Sequence, residues 1–265
     1  MSAVDFLIAA LSESTKGQAM NLNFLFSIFV LAFSFLAFAS TAKAEQVFSH
    51  SGNTDPTTEG WSLILSGADN SVGAVTNDIG TGIDAWFTDD DTTGLSNVAA
   101  YTATPSASAV NAGNLNGWTL STNLRVVDIP DAVDSSVIVL YRDGATSWEM
   151  NFGSELDGDT IVQLSSGDLH VLQNTGTGYH QFDLVYDPVN ATADLFVDGL
   201  EVISDSAGIA SASTPSIAWG ADSTSGTGQG NFASVSFSVV PEPSSFILAV
   251  LGLTAVCRRH RNLNA

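Results

Sequence analysis

The sequence predicts an all-β antiparallel sandwich set between two targeting segments, and three observations carry that prediction. Apolar and polar residues alternate with period two along the middle of the chain, the pattern of strands with one buried and one solvated face. Clusters of Gly, Asn, Asp, Ser and Thr punctuate those stretches at short intervals, as turns require. No segment of the middle has a persuasive helical period. The 265 residues therefore divide into 1–44, 45–240 and 241–265, with one large sandwich in the centre.

The first segment reads as a signal peptide. Residues 24–39 are almost wholly apolar, and Thr41-Ala42-Lys43-Ala44 follows before Glu45. Small residues at Ala42 and Ala44 make the pattern a signal peptidase reads, so cleavage is expected ahead of Glu45. An uncleaved membrane anchor is the alternative. Lys16 is the sole basic residue before the apolar run, while Asp5 and Glu13 are acidic. A signal peptide begins with a basic region, so translation is expected to start at Met20.

In the central segment the alternation is clearest over 118–126. Trp118, Leu120, Leu124 and Val126 share one face there, and Thr119, Ser121, Asn123 and Arg125 share the other. Over 147–152 the inward set is Trp148, Met150 and Phe152; over 181–186 it is Phe182, Leu184 and Tyr186. Asp187-Pro188-Val189-Asn190 turns the chain. The return strand points Ala193, Leu195 and Val197 inward, and Asp198-Gly199 makes the next tight turn. Residues 233–239 form the closing strand. Further strands are expected at 61–65, 83–87, 99–103, 136–141, 160–164 and 169–172, and 221–230 is expected to be a long loop.

Charge narrows the function classes. The whole chain has 28 Asp+Glu against 7 Lys+Arg, and within 45–240 the cations are Arg125 and Arg142 alone. So acidic a domain repels nucleic acid and anionic lipid. Acidity can also mark disorder, but the plentiful aromatic and β-branched residues argue for a packed core. Cys257 is the single cysteine and lies in the tail, so the sandwich has no disulfide.

The last segment orders three parts: Pro241-Glu242-Pro243, an apolar run over 246–257, and Arg258, Arg259 and Arg261. The prolines hold their segment extended. The apolar run suits a short transmembrane helix; it is shorter than the usual span of about 20 residues, and polar neighbours and snorkelling arginines supply the rest. The arginines stay cytoplasmic, which puts the sandwich outside. This tail resembles the PEP-CTERM sorting signal of Gram-negative bacteria that make extracellular polysaccharide. The resemblance implies an exosortase as processing enzyme, transient residence in the inner membrane, and delivery to the cell surface or extracellular matrix.

A second resemblance lies in the middle. Residues 179–187, then Ala193-Asp194-Leu195-Phe196-Val197-Asp198-Gly199, are similar to the strand-turn-strand hairpin of laminin-G/concanavalin-A-like jelly rolls. Trp219-Gly220-Ala221 followed by 232–239 resembles their final strands. The likeness implies a jelly-roll sandwich that binds glycans or proteins, often with calcium; some relatives hydrolyse glycans.

Site candidates follow from chemistry. A glycan hydrolase needs two carboxylates about 5 to 9 Å apart. The nearest match, Glu155-Leu156-Asp157-Gly158-Asp159-Thr160, has Thr160 where a third acid belongs, so its acids read as loop carboxylates. Calcium takes several hard oxygens on a flexible loop, which makes Asp89, Asp90 and Asp91 one candidate cluster and Asp157 with Asp159 another. Solvated turn acids are the favoured reading of both. His50, His170 and His180 lack ligand spacing. Trp86 and Phe87 adjoin the first acidic cluster, and one of them should face outward as a ligand rim, although core packing is the ordinary fate of a Trp. The expected function is a non-catalytic, glycan-binding surface or matrix protein, with the producer's own exopolysaccharide as the expected ligand. A structural or adhesive protein-binding role is the alternative, and a glycan hydrolase the second.

Overall fold

The computed structural model describes residues 44–91, 97–128, 137–154, 159–173, 178–223 and 227–240. Ala42, Glu155, Asp157, Pro241, Glu242, Pro243, Arg258, Arg259, Arg261 and the expected C-terminal helix lie outside the described residues. Among the described residues no helix is long and apolar enough to cross a membrane.

Sixteen strands are described, in chain order β1 (Glu45–Ser51), β2 (Ser62–Ser66), β3 (Ser71–Asp78), β4 (Ile83–Asp90), β5 (Asn97–Ala103), β6 (Trp118–Asp128), β7 (Val137–Arg142) and β8 (Thr146–Ser154), then β9 (Thr160–Leu164), β10 (Leu169–Leu172), β11 (His180–Asp187), β12 (Thr192–Val197), β13 (Leu200–Ser206), β14 (Ile209–Ala210), β15 (Ser216–Ser223) and β16 (Gly228–Val239). They form two antiparallel sheets. The first runs β13-β12-β11-β6-β16-β4-β3, with β1 also paired to β16. The second runs β10-β9-β8-β7-β15-β5-β2, with β14 paired to β8. The architecture is a jelly-roll sandwich, as the period-two pattern predicts.

The inward sets meet between the sheets. Trp118, Trp219, Tyr101, Tyr141, Phe152, Phe182, Phe232 and Phe237 are each less than 2% exposed. Aromatic side chains bury the most apolar area per residue, so these eight dominate the core. Trp118 stacks flat on Tyr186 at 5.2 Å and meets Tyr141 edge-on at 5.1 Å. Glu45 pairs with Val239, so both ends of the sandwich leave side by side.

Two expectations need correction. The middle does contain a helix, α1 (Ala107–Asn116), capped by Ser106, whose hydroxyl accepts from the Ala109 N–H. It lacks an apolar stripe: of its larger side chains Val110 is buried while Leu115 is 66% exposed. It is a cap-defined connector, invisible to a search for period 3.6. The loop expected over 221–230 is also shorter. Strand β15 continues to Ser223, and β16 begins at Gly228, paired with Asp90. Its glycines answer to packing: a Cβ on Gly230 would stand 3.0 Å from Val137 and 3.2 Å from Leu124.

Candidate ligand-binding face

The outer face of the first sheet is polar, and the register shows how. Gln181 lies opposite Asn123, Asn123 opposite Ser234, and Ser234 opposite Ser51. One rung away, Asp183 faces Ser121, Ser121 faces Ser236, and Ser236 faces Ser49. Each four-residue rung spans about 14 Å at the usual strand spacing. The Gln181 amide donates to Asp183 at 2.8 Å and ties the rungs together. Phe196, opposite Asp183, supplies a half-exposed ring at one end. Alternation produces this surface: the residues between these positions are the core residues of β6, β11 and β16.

A third rung, Arg125–Asn231–Phe87–Gly73, carries a charged node. Asp78, at the end of β3 and 8% exposed, accepts both Nε and Nη2 of Arg125, at 2.7 and 2.9 Å. It also accepts from the Tyr179 hydroxyl at 2.8 Å and the Asn231 amide at 2.8 Å. Burial alone would raise the Asp78 carboxyl, but the bonds from Arg125, Asn231 and Tyr179 outweigh it and hold it below the ordinary value. Burial and the carboxylate together push the Tyr179 hydroxyl up. The Oδ1 atoms of Asn231 and Asn123 are buried without a protein partner, which costs roughly 1–3 kcal/mol for each.

The loop after Asp78 is built to hold it. Asn77, Ile79, Gly80 and Gly82 all have positive φ, from 47° to 80°. Asn77 Oδ1 accepts from the Gly82 N–H at 2.6 Å, and Thr81 donates to the Asp78 carbonyl at 2.8 Å. Ile79 is the outlier, since a β-branched side chain is disfavoured in the left-handed region. It stands 55% exposed at the loop tip.

The residues singled out in the sequence take separate places. Trp86 turns between the sheets, where its indole N–H donates to the Tyr101 hydroxyl at 2.9 Å; burial pushes that hydroxyl up to about 12. Phe87 turns outward, its ring lying over Gly73, where an added Cβ would stand 2.7 Å away. Asp89 and Asp90 follow the same alternation and point to opposite faces of β4. Asp90 is fully buried, Asp91 is exposed and Asp159 is half-buried. Among the described residues no three of His, Cys, Asp and Glu are grouped to hold a metal ion. Ala44 is exposed, and Glu45 opens β1.

The histidines are held by acids. His50 is buried, stacks on Trp219 at 4.9 Å, and its Nδ1 lies 2.7 Å from Glu59 Oε2. His180 Nδ1 contacts Asp198 at 2.8 Å. His170 lies instead in an apolar groove of about 660 Å³ between the edge strands, lined by Leu169, Val171, Leu172, Val197 and Leu200. The sequence reading missed the Asp78 node and the groove. The signal for the node was present in Arg125, an arginine on a strand face of a domain with two cations.

Residues 89–242 match the family model described as Vibrio cholerae sialidase, lectin insertion. Residues 239–262 match the PEP-CTERM protein-sorting motif. Similar solved structures include a carbohydrate esterase from Shiga toxin-encoding bacteriophage phi24B, at 14% identity over 74% of this chain and 99% of that one, with a TM-score of 0.48. The cellulose-induced protein Cip1 is 9% identical over 69% and 92% of the two chains, with a TM-score of 0.47. The CBM2 module of the evolved Dit of Lactobacillus casei BL23 phage J-1 is 14% identical over 75% and 97%, with a TM-score of 0.44. No curated protein matches. The sorting motif marks an exported protein, and the sandwich that it follows belongs to the Vibrio cholerae sialidase lectin-insertion family.

Proposed function

We infer that the chain is a non-catalytic surface or matrix protein whose first sheet presents a glycan-binding face. The observation that carries this reading is the polar face itself, two rungs of hydroxyl, amide and carboxylate groups with the Arg125–Asn231–Phe87 rung beside them and the ring of Phe196 at one end. The match to a lectin insertion over residues 89–242, which include β6, β11, β12 and β16 of this face, supports it. Sugar hydroxyls donate to carboxylate and amide oxygens and accept from amide N–H groups, so the face complements a neutral polysaccharide. It suits an anionic one poorly. Arg125 is committed to Asp78, and Arg142 contacts Glu149 at 3.4 Å. A carboxylated or sulfated polymer would meet an acidic surface with both arginines already paired.

Processing follows from the tail. A signal peptidase removes the leader, the apolar run holds the chain in the inner membrane with its arginines inside, and an exosortase releases it to the surface or matrix. Residues 45–240, which contain both sheets and the whole described core, test the binding reading on immobilised polysaccharides. Retention on a neutral polymer is expected, with weaker retention on an anionic one. Repeating the assay with calcium and with a chelator tests the proposed calcium cofactor. No retention on any polymer in either condition overturns the reading. Reducing-sugar release that disappears in Glu155→Gln would establish the hydrolase instead. Fractionation of cells carrying Arg258→Ala, Arg259→Ala and Arg261→Ala together tests the sorting route, with loss of surface protein expected.

A further inference from the structure

We propose that the end of the sandwich from which the tail leaves is a lipid-docking surface. Leu115, Val189 and Val240 rest there on a zwitterionic bilayer for as long as the apolar run stays in the membrane. This rests on the tail's residence in the inner membrane before release. One rung closes that end of the first sheet: Glu45 pairs with Val239, Val239 with Trp118, and Trp118 with Tyr186. Past the rung the chain is still held, because the Val240 N–H donates to the Gly117 carbonyl at 3.0 Å. The sorting motif matches from residue 239 onward. It therefore begins inside β16, and no linker parts it from the sheet.

Three apolar side chains surround this exit, with Gly117 between them. Gly117 has φ of 104°. A Cβ added there would stand 3.0 Å from the Tyr186 carbonyl oxygen, 3.6 Å from Pro188 Cδ and 3.8 Å from Val240 Cγ2. Val189 follows Pro188 in the chain, and Leu115 lies two residues ahead of Gly117 in the last turn of α1. Val189, Leu115 and Val240 are 89%, 66% and 36% exposed. The turn that carries Val189 is clasped. Asp187 accepts from the Val189 N–H at 2.8 Å and from the Asn190 side-chain amide at 2.8 Å. Single exposed apolar residues are ordinary, whereas several gathered at one place mark an interaction site.

Chain length and charge specify the occupant. Pro241-Glu242-Pro243-Ser244-Ser245 separates Val240 from Phe246, where the apolar run begins. The step from Val240 to Phe246 spans at most roughly 22 Å when fully extended. With the run in the membrane, this end of the sandwich stays within that distance of the lipid. Exposed apolar side chains held so close gain by entering the boundary between headgroups and acyl chains. Glu45 and Asp187 stand at the same strand ends, so an anionic lipid surface is repelled and a zwitterionic one is favoured. The opposite end of the sheet is out of reach in this pose. Asp78 meets Arg125 there, seven residues along β6 from Trp118, roughly 23 Å at the strand rise. Ile79 follows at the loop tip and stays in water. Docked on this end, the strands stand upright on the membrane. The polar rungs, which run across the strands, lie parallel to the bilayer and open to the medium.

Site-specific dyes on the full chain in phosphatidylcholine vesicles test the docking. Cys257→Ala removes the single native thiol, and Leu115→Cys, Val189→Cys or Ile79→Cys then carries an environment-sensitive fluorophore. Ile79 is the control, 55% exposed on the far loop. Flotation with the vesicles reads insertion of the tail by itself. In floated protein, iodide quenching at positions 115 and 189 should fall at least about threefold relative to the tail-less segment 45–240. Nitroxide-bearing lipid should quench both positions, and Ile79 should show neither effect. Replacing part of the lipid by phosphatidylglycerol should weaken the protection, and added salt should restore it. Flotation with positions 115 and 189 still open to iodide overturns the docking alone. Equal protection at all three positions overturns it in favour of a sandwich lying on its side. Stronger protection with anionic lipid overturns the choice of a zwitterionic surface. Protection of segment 45–240 that grows with its own concentration assigns the surface to a second copy instead. A chain that fails to float overturns the membrane reading of the tail, and the docking with it.

Discussion

The guanidinium of Arg125 grips the Asp78 carboxylate through two nitrogens, at 2.7 and 2.9 Å, across strands 47 residues apart in sequence. Both groups are mostly buried, so each makes the other tolerable there. Removing one partner leaves an uncompensated charge. Asp78→Ala should therefore cost about 3–5 kcal/mol of stability, read from the midpoint of urea unfolding. The double variant Asp78→Leu with Arg125→Met should recover a large part of that loss. A single-variant cost below about 1 kcal/mol, the value of an exposed pair, would show that the node is solvated.

Acid should unfold the sandwich in two separate windows. The His50 imidazole is lowered from 6.5 by burial, against the opposing pull of Glu59. Below pH 6.5 the unfolded chain takes up a proton that the folded chain refuses, so stability falls as pH drops toward the folded value. Asp78 is lowered from 3.8. Its stabilisation is complete above that value and is lost as pH falls through the folded one. Thermal midpoints measured from pH 7.5 to 5 should decline in the parent and decline less in His50→Gln. An equal decline in both would remove His50 as the cause.

What the sequence disclosed depended on period. Strand β12 alternates strictly, and its inward residues Ala193, Leu195 and Val197 were legible before the fold and lie in the core. Strand β3 was not legible. Ser71-Val72-Gly73-Ala74-Val75-Thr76 has small residues on both faces, because the Phe87 ring needs the space over Gly73 and the strand lies at a sheet edge. Strand β13 has the same difficulty: Leu200 is 72% exposed and the register shifts twice against β12. Adjacency to the acids did not say which of Trp86 and Phe87 faces outward. Alternation sends Trp86 inward and Phe87 outward, and which ring meets solvent depends on where the second sheet lies. The Asp78 node joins β3, β6 and β16 with Tyr179 just ahead of β11, a convergence that tertiary structure alone creates.

Gly220 should be intolerant of any side chain. It sits in the middle of β15 with φ of 140°. An added Cβ would stand 2.5 Å from the Ala99 carbonyl oxygen and 2.6 Å from the Ala100 Cα. Those are backbone atoms of the neighbouring strand, and they cannot swing aside as a side chain can. Gly220→Ala should cost more than about 2 kcal/mol, the combined effect of overpacking and a strained backbone. At Gly73 the clash is with the Phe87 ring alone, so Gly73→Ala should cost less while displacing an outward ring. Equal unfolding midpoints for the two variants would contradict this ordering.

The outer face of the first sheet and the apolar groove at the β10 and β13 edges are rival locations for a ligand, and substitution separates them. Gln181 and Asn123 are half-buried amides of adjacent strands on the outer side of the first sheet, and neither belongs to the apolar core. Gln181→Ala and Asn123→Ala each remove one amide partner worth about 0.5–1.5 kcal/mol. Retention on a neutral polysaccharide should drop roughly two- to tenfold in each, and Phe196→Ala should weaken it further by removing an apolar ring. Leu200→Ala opens the groove, touches none of the rungs, and should leave retention unchanged. Affinity electrophoresis of the four variants, with unfolding midpoints as the control for stability, reads the difference. Loss in Leu200→Ala with retention intact in Gln181→Ala would move the binding site from the hydroxyl and amide rungs to the groove.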